Sequence, residues 1–288
     1  MHNYLRSIGF RDIDNKRYHE IIQNLIDNPE QQFSSKDKDG SLIIENITEY
    51  DFNIGISTIG KRLKDSTEYF EYTYPYYKAV STSSNADVEL VRNSSNASFS
   101  GILEDGRLGI DLIFHVIDQY YMTDSRFKEN KIIKGSEINL SGLAEKGMIL
   151  LPVSKCIRHE NDPMYLKTKQ ETEDAARKGD TEARELIAEE EYEFYNHLQS
   201  RVQREDIYTI LQTYIMPLGI ENDKYEILGE ISDYHELKNR VTGQNLVAID
   251  VKVNSIPIQV VINEKDLVGE IEEGRRFKGT IWLQGSIQ

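Results

Sequence analysis

Apolar and polar residues alternate along several short segments of this chain, and such alternation is typical of β-strands that bury one face. In "DFNIGISTI", Phe52, Ile54 and Ile56 take every second position. The segment "EYFEYTYPYYKA" repeats the alternation with aromatic side chains. Strands of this kind need an apolar cover on their buried face, so the pattern predicts sheets onto which the rest of the chain packs.

One helix precedes these strands. The segment "DNKRYHEIIQNLIDN" places its apolar residues on a single stripe and predicts a helix over residues 15–27. Asp14 is the expected N-cap, and Pro29 follows the end of the helix. This helix can lie on the sheet that the next strands form.

The periodicity changes in the middle of the chain. The segment "GDTEARELIAEEEYEFYNHLQSRV" follows a helical repeat, and "EDIYTILQTYIM" predicts a second helix that ends at Pro217. We therefore expect a helical hairpin connector over residues 161–221.

The last part of the chain returns to short strands. About five strands in a compact unit are what a small closed barrel needs, so we expect an OB-like or SH3-like barrel over residues 222–288. The fold class expected from the sequence is α+β. It consists of an N-terminal domain of mixed sheet and helix over residues 1–160, the helical connector and the terminal barrel.

A hairpin is predicted in "SFSGILEDGRLGIDLIFHV". With Asp105 and Gly106 as a two-residue turn, Leu103 faces Leu108, and all the large apolar pairs share one face. The polar side of the second strand then carries Arg107, Asp111 and His115, which are the candidate catalytic residues.

Residues four apart on a strand are separated by about 13 Å, so Arg107, Asp111 and His115 need a partner from another strand to act together. The alternative is a solvent-facing row of charges without a function.

The aromatic segment also allows two interpretations. Tyr72, Tyr74 and Tyr76 project from one face, where they can form a recognition surface or an oligomer contact, or pack under the predicted helix. Pro75 cannot donate a hydrogen bond to a neighbouring strand, so this strand is expected at a sheet edge or to stop there.

Basic and aromatic residues are interleaved near the C-terminus. Arg275, Arg276, Lys278 and Trp282 are candidate binding residues, because such a pattern can hold single-stranded nucleic acid on a barrel surface. The alternative is that Trp282 and its alternating apolar neighbours belong to the barrel core.

The amino-acid composition limits which partners, metals and cofactors the protein is expected to bind. The formal net charge is −15, from 49 acidic and 34 basic residues, and this disfavours nucleic acid and anionic membranes. Cys156 is the single cysteine, so an internal disulfide and a cysteine-based zinc cluster are excluded. The six histidines lack metal-ligand spacing, and no nucleotide-binding loop is present. We expect no metal and no cofactor.

No segment reaches the apolar length of a membrane span, and the first residues lack the apolar region of a signal peptide. We therefore expect a cytoplasmic protein.

Several segments resemble a bacterial protein family known only as a domain of unknown function. They are "MHNYLRSIGF", "EDGRLGIDLIF", "ARKGDTEARELI", "DIYTILQTYIMPLGIENDKYEILGEI" and "NEKDLVGEIEEGRRFKGTIWLQG". The resemblance extends over nearly the whole chain and implies an intracellular bacterial protein. It implies no activity, ligand or catalytic residue.

Three functions remain open. The leading hypothesis is a non-enzymatic binding or assembly module that associates with itself or with an unknown protein. The second is an enzyme or small-molecule sensor with a pocket between domains. The third is an OB-type binder of single-stranded nucleic acid.

Overall fold

The protein is described by a computed structural model that covers residues 3–36, 41–63, 68–93, 98–108, 110–117, 131–153, 172, 207–219 and 222–288. Residues 1–150 and 213–288 form one compact unit, which contains both sheets discussed below. Residues 151–212 form a second unit, of which the structure describes only residues 151–153, 172 and 207–212.

A short 3-10 helix spans Asn3–Ile8, and the helix α1 spans Asn15–Asp27. Further 3-10 turns lie at Ile207–Thr209 and Glu264–Asp266. The strands are β1 Gln31–Lys36, β2 Leu42–Asp51, β3 Ile54–Arg62, β4 Glu68–Tyr77, β5 Val88–Arg92, β6 Phe99–Leu103, β7 Leu112–Val116, β8 Lys131–Ile133, β9 Ile138–Leu150, β10 Tyr214–Pro217, β11 Lys224–Lys238, β12 Asn245–Val253, β13 Ile256–Asn263, β14 Leu267–Val268 and β15 Arg276–Ile287.

The predicted helix α1 is confirmed with its expected bounds. The Asp14 carboxylate accepts a hydrogen bond from the backbone N–H of Arg17 at 2.7 Å, which caps the first turn. Ile21 and Leu25 of α1 are buried. They belong to the apolar core on the four-stranded sheet, so the sheet provides the packing that a short helix needs.

The first sheet is an antiparallel meander in the order β1-β2-β3-β4. Among the described strands β4 pairs only with β3, so the expected edge position of the strand with Pro75 is confirmed.

The second sheet contains a closed five-stranded barrel in the order β11-β12-β13-β9-β15, which returns to β11. Strand β9 lies parallel to β13 and antiparallel to β15. The expectation of a barrel built by the C-terminal segment alone is therefore wrong, because residues 138–150 supply one of its strands. Alternate residues of the barrel strands, such as Val247, Ile249 and Val251, point into its apolar interior.

The expected α+β class is also wrong, since strands dominate the described residues. The segment "EDIYTILQTYIM" is not a helix that ends at Pro217. Its last residues form β10, and Tyr214 and Ile215 pair with Leu228 and Ile227 of β11. Aromatic and β-branched residues fit a paired strand, and pairing with β11 overrides the helical periodicity. The helix predicted over residues 180–202 lies outside the described residues.

The predicted two-residue hairpin is wrong in its register. Leu103 pairs with Leu112 rather than Leu108, so the connection between β6 and β7 is longer than two residues. The reason is a local ion pair: the Arg107 guanidinium donates to the Asp105 carboxylate at 2.6 Å and 2.9 Å. This pair folds the chain into a separate turn, in which the Leu108 N–H donates to the Asp105 carbonyl at 3.0 Å.

Within the part of the chain that the structure describes, every helix is too short or too polar to cross a membrane.

Candidate functional site

Several predicted site residues meet in a buried aromatic cluster between the four-stranded sheet and the barrel. We define this cluster as Tyr4, Tyr72, Tyr74, His115 and Trp282. The His115 ring centroid lies 4.6 Å from that of Tyr74 and 4.9 Å from that of Trp282. Tyr72 stacks on Tyr74 at 5.4 Å, and Tyr4 lies 5.6 Å from Trp282. Rings at these separations attract one another beyond their burial, so the cluster joins the two sheets.

The aromatic strand β4 is mainly a packing element. Tyr74 is 1% exposed and Tyr76 is 5% exposed, which favours the packing interpretation for both. The Tyr74 hydroxyl donates to Glu45 Oε1 at 2.9 Å, and the Ser57 hydroxyl donates to the same oxygen at 2.6 Å. These bonds satisfy polar atoms that are buried between the sheets. Tyr72 keeps partial exposure at the margin of the aromatic cluster.

A partly buried carboxylate borders the aromatic cluster. The Trp282 indole Nε1–H donates to Asp223 Oδ2 at 2.7 Å. Burial raises the pKa of Asp223 above its ordinary value, and the hydrogen bond from Trp282 opposes this effect. Burial also raises the pKa values of the Tyr4 and Tyr72 phenols, as does the nearby Asp223 carboxylate. These phenols are therefore neutral at physiological pH.

Asp223→Asn is expected to increase stability at neutral pH. Because the folded-state pKa of Asp223 is raised, its stabilising contribution is complete below the ordinary pKa of 3.8 and is lost as the pH rises through the raised value. The amide can still accept the Trp282 hydrogen bond but never ionises. Urea midpoints measured from about pH 3 to about pH 8 should show a gain that grows with pH.

The control for this prediction is Asp111→Asn at an exposed residue. A lower urea midpoint for Asp223→Asn at neutral pH would show that the ionised carboxylate stabilises the fold, contrary to the expectation.

The structure does not bring the three candidate catalytic residues together. Arg107 binds Asp105 and also donates to the Ser83 carbonyl at 2.9 Å. His115 is 2% exposed inside the aromatic cluster, and Asp111 is exposed. The three side chains thus occupy separate environments.

The basic residues near the C-terminus are also dispersed. Arg275 forms an ion pair with Glu272 at 2.7 Å, and Lys278 lies 3.6 Å from Glu226. Arg276 is only 4% exposed. Trp282, which is 3% exposed, belongs to the aromatic cluster instead of a surface. These residues therefore do not form one exposed basic and aromatic face.

An exposed backbone edge lies on β11 instead. From Lys224 to Glu230 this strand pairs with β15. From Glu230 to Lys238 it pairs with β12 on the other side, with an irregularity of the β-bulge kind between Ile231 and Asp233 that leaves Ser232 without a paired residue in β12. The pairing toward β15 ends at Ile231, whose N–H donates to the Arg275 carbonyl at 2.8 Å. Beyond this point no described strand covers that side. We call Ser232–Leu237 the open edge.

Five of the six side chains of the open edge are accessible, and only Leu237 is buried. Ser232, Asp233, Tyr234, His235 and Glu236 are all exposed, with Tyr234 at 40%. The Tyr234 N–H donates to Asp233 Oδ1 at 2.7 Å rather than to β12. Because backbone groups alternate in direction along a strand, the Tyr234 and Glu236 backbones face away from β12.

Asp51, the last residue of β2, lies at the far end of the open edge. The Lys238 N–H donates to Asp51 Oδ2 at 2.6 Å. The open edge therefore has a defined length between two anchored ends. Sequence reasoning missed it, because "SDYHEL" is polar and lacks the alternation that marks a half-buried strand.

Among the residues that the structure describes, no group of three or more histidine, cysteine, aspartate or glutamate side chains is placed to hold a metal ion. Residues 5–285 match a family model described as "Domain of unknown function, E. rectale Gene description (DUF3881)". The resemblance drawn from the sequence segments is thereby confirmed. No curated protein and no solved structure matches the chain.

Proposed function

This chain belongs to the DUF3881 family, and we propose that it is a non-enzymatic assembly module whose open edge pairs with the open edge of a second copy. The observation that carries the proposal is an accessible strand edge on which Asp233 and His235, an acid and a base, lie two residues apart. An unpaired edge is a template for another strand, and natural proteins shield or use such edges.

Two-fold symmetry restricts how two copies of the open edge can pair. When two identical edges pair antiparallel, the two-fold axis that relates the copies is perpendicular to the sheet and passes beside one residue. That residue then lies opposite the same residue of the second copy. A two-fold axis at Tyr234 places Asp233 of each copy opposite His235 of the other copy, so this pair occurs two times in the dimer. An axis at Asp233 or at Glu236 places two carboxylates opposite each other. Of these registers, only the one centred on Tyr234 can pair an acid with a base.

The backbone supports the same register. Tyr234 faces outward, so the two copies can exchange N–H and C=O bonds at this residue. The Asp233 carboxylate, which caps the Tyr234 N–H in the single chain, is released to bind His235 of the second copy.

The interface is short, so its affinity is expected to be low. Stable interfaces bury about 1,200–2,000 Å², more than six paired residues alone provide. We therefore expect a concentration-dependent equilibrium between single chains and dimers.

The test is sedimentation velocity over a series of protein concentrations. His235→Glu places like charges opposite each other and should abolish the dimer. Combining His235→Glu with Asp233→Lys exchanges the two charges and should restore it. His19→Glu, the same substitution on the exposed surface of α1, should leave association unchanged.

If the chain stays monomeric at every concentration, it does not self-associate and the proposed dimer is wrong. A dimer that persists in His235→Glu would place the contact on another surface. Either result overturns the proposed role of the open edge.

A further inference from the structure

An independent observation concerns the bond between Asp105 and Gly106. Aspartyl-glycine sequences are open to isomerisation, because glycine has no side chain to hinder attack by its own nitrogen on the preceding carboxyl group. The chain contains this dipeptide twice, at Asp105-Gly106 and at Asp39-Gly40. The second lies outside the described residues.

The chemistry needs no co-reactant except water. The Gly106 nitrogen attacks Asp105 Cγ and forms a C–N bond, while the carboxyl oxygen departs with two protons as water. Hydrolysis of the resulting five-membered imide adds one water. It opens either the bond to Cγ, which restores aspartate, or the bond to the former backbone carbonyl, which leaves isoaspartate.

No neighbouring atom hinders the reaction sterically at Gly106. Gly106 is exposed, and a Cβ placed on it would meet no atom within 4 Å. The Gly106 N–H has no hydrogen-bond partner among the described residues. The reacting nitrogen is therefore accessible, and protection has to come from the carboxylate.

Both oxygens of that carboxylate are held. Oδ1 accepts from the Arg107 backbone N–H at 3.1 Å and from Arg107 Nε at 2.9 Å. Oδ2 accepts from Arg107 Nη2 at 2.6 Å and from the Ser84 hydroxyl at 2.6 Å. We propose that Arg107 and Ser84 form a clasp that protects Asp105-Gly106 against isomerisation.

The clasp acts in two ways. Attack on Cγ must displace the carboxylate from four charge-assisted hydrogen bonds, two of which come from the cationic side chain of Arg107. The reaction also needs a protonated carboxyl group, since hydroxide is a better leaving group than oxide. The Arg107 hydrogen bonds hold the pKa of Asp105 well below its ordinary range, so this form is scarce at physiological pH.

The guanidinium is itself fixed by the surrounding chain. It donates to the Ser83 carbonyl at 2.9 Å and to the Ser255 carbonyl at 3.3 Å. The turn at Ser255 joins β12 to β13, so the clasp depends on the assembled fold rather than on the local sequence.

The experiment compares isoaspartate formation at residue 105 in native and urea-unfolded protein by peptide mapping after prolonged incubation at neutral pH. We expect native protein to isomerise many-fold more slowly than unfolded protein at this bond. Arg107→Gln should raise the native rate several-fold, and Ser84→Ala should raise it less, because Arg107 remains. Thermal melting checks that each variant is folded.

The matched control combines Gly106→Ala with Arg107→Gln. The structure has room for the alanine side chain at residue 106. The added side chain should slow the attack and return the rate toward that of the native protein. Equal native and unfolded rates, or no change at residue 105 in folded Arg107→Gln, would overturn the proposal.

Discussion

Phe114→Ala is expected to lower the free energy of unfolding by about 3–5 kcal/mol. Phe114 lies on β7, is 0% exposed and belongs to the core cluster that includes the barrel interior. Its ring occupies the space above two glycines. A Cβ on Gly101 would lie 2.2 Å from Phe114 Cζ, and one on Gly285 would lie 2.6 Å from Phe114 Cδ2.

This close fit explains why the usual full cost of truncating a buried phenylalanine is expected. Gly101 and Gly285 lie on β6 and β15, both of which are paired with β7. Their backbones cannot move inward to fill the cavity without breaking that pairing, so the cavity remains.

Urea unfolding measures this prediction. Phe52→Ala is the matched control, since Phe52 is 61% exposed and its truncation should change stability by less than about 0.5 kcal/mol. A cost below about 1 kcal/mol for Phe114→Ala would show that the site collapses around the smaller side chain, contrary to the expected rigidity.

Asp266→Ala should have the second-largest effect, a loss of about 2 kcal/mol. The Asp266 side chain is 4% exposed and accepts hydrogen bonds from Arg6 Nε at 3.0 Å, Arg6 Nη2 at 2.5 Å and Arg11 Nε at 2.9 Å. Removing the carboxylate leaves two arginines close together without their shared anion. Both arginines retain access to water, with side-chain exposures of 27% and 32%, so the cost is smaller than for a fully buried pair.

Asp12→Ala provides the control for Asp266→Ala. Asp12 also lies near Arg11, at 3.7 Å, but its side chain is 65% exposed. Its truncation should therefore be nearly neutral in urea unfolding. Similar costs for the two variants would mean that burial of Asp266 does not strengthen the ion pairs.

The aromatic cluster illustrates how far the candidate residues could be predicted. Alternation along β4 placed Tyr72, Tyr74 and Tyr76 on one face, and that part is a local property of the chain. Whether this face is covered depends on His115 and Trp282, which come from distant strands. Nothing within the segment itself distinguishes a covered aromatic face from an exposed one.

The open edge shows the opposite case. Its residues are polar, so their sequence contains no signal of burial, and the local pattern does not predict a strand there. Pairing with β12 extends β11 through these residues, and the end of the β15 pairing leaves them uncovered. This edge is therefore exposed because the pairing between β11 and β15 ends before it, and that end point depends on residues distant in the sequence.

The sequence by itself determined the features whose signals lie close together along the chain. The helix α1 follows from Asp14 and one apolar stripe, and the strands β3 and β4 follow from alternation. Tertiary structure alone decided that β9 closes the barrel, that Tyr214–Pro217 joins β11 as a strand, and that Arg107 binds Asp105 in place of a two-residue hairpin turn. Local patterns state which face of a segment is apolar, but the choice of partner depends on long-range pairing energies that are absent from the segment.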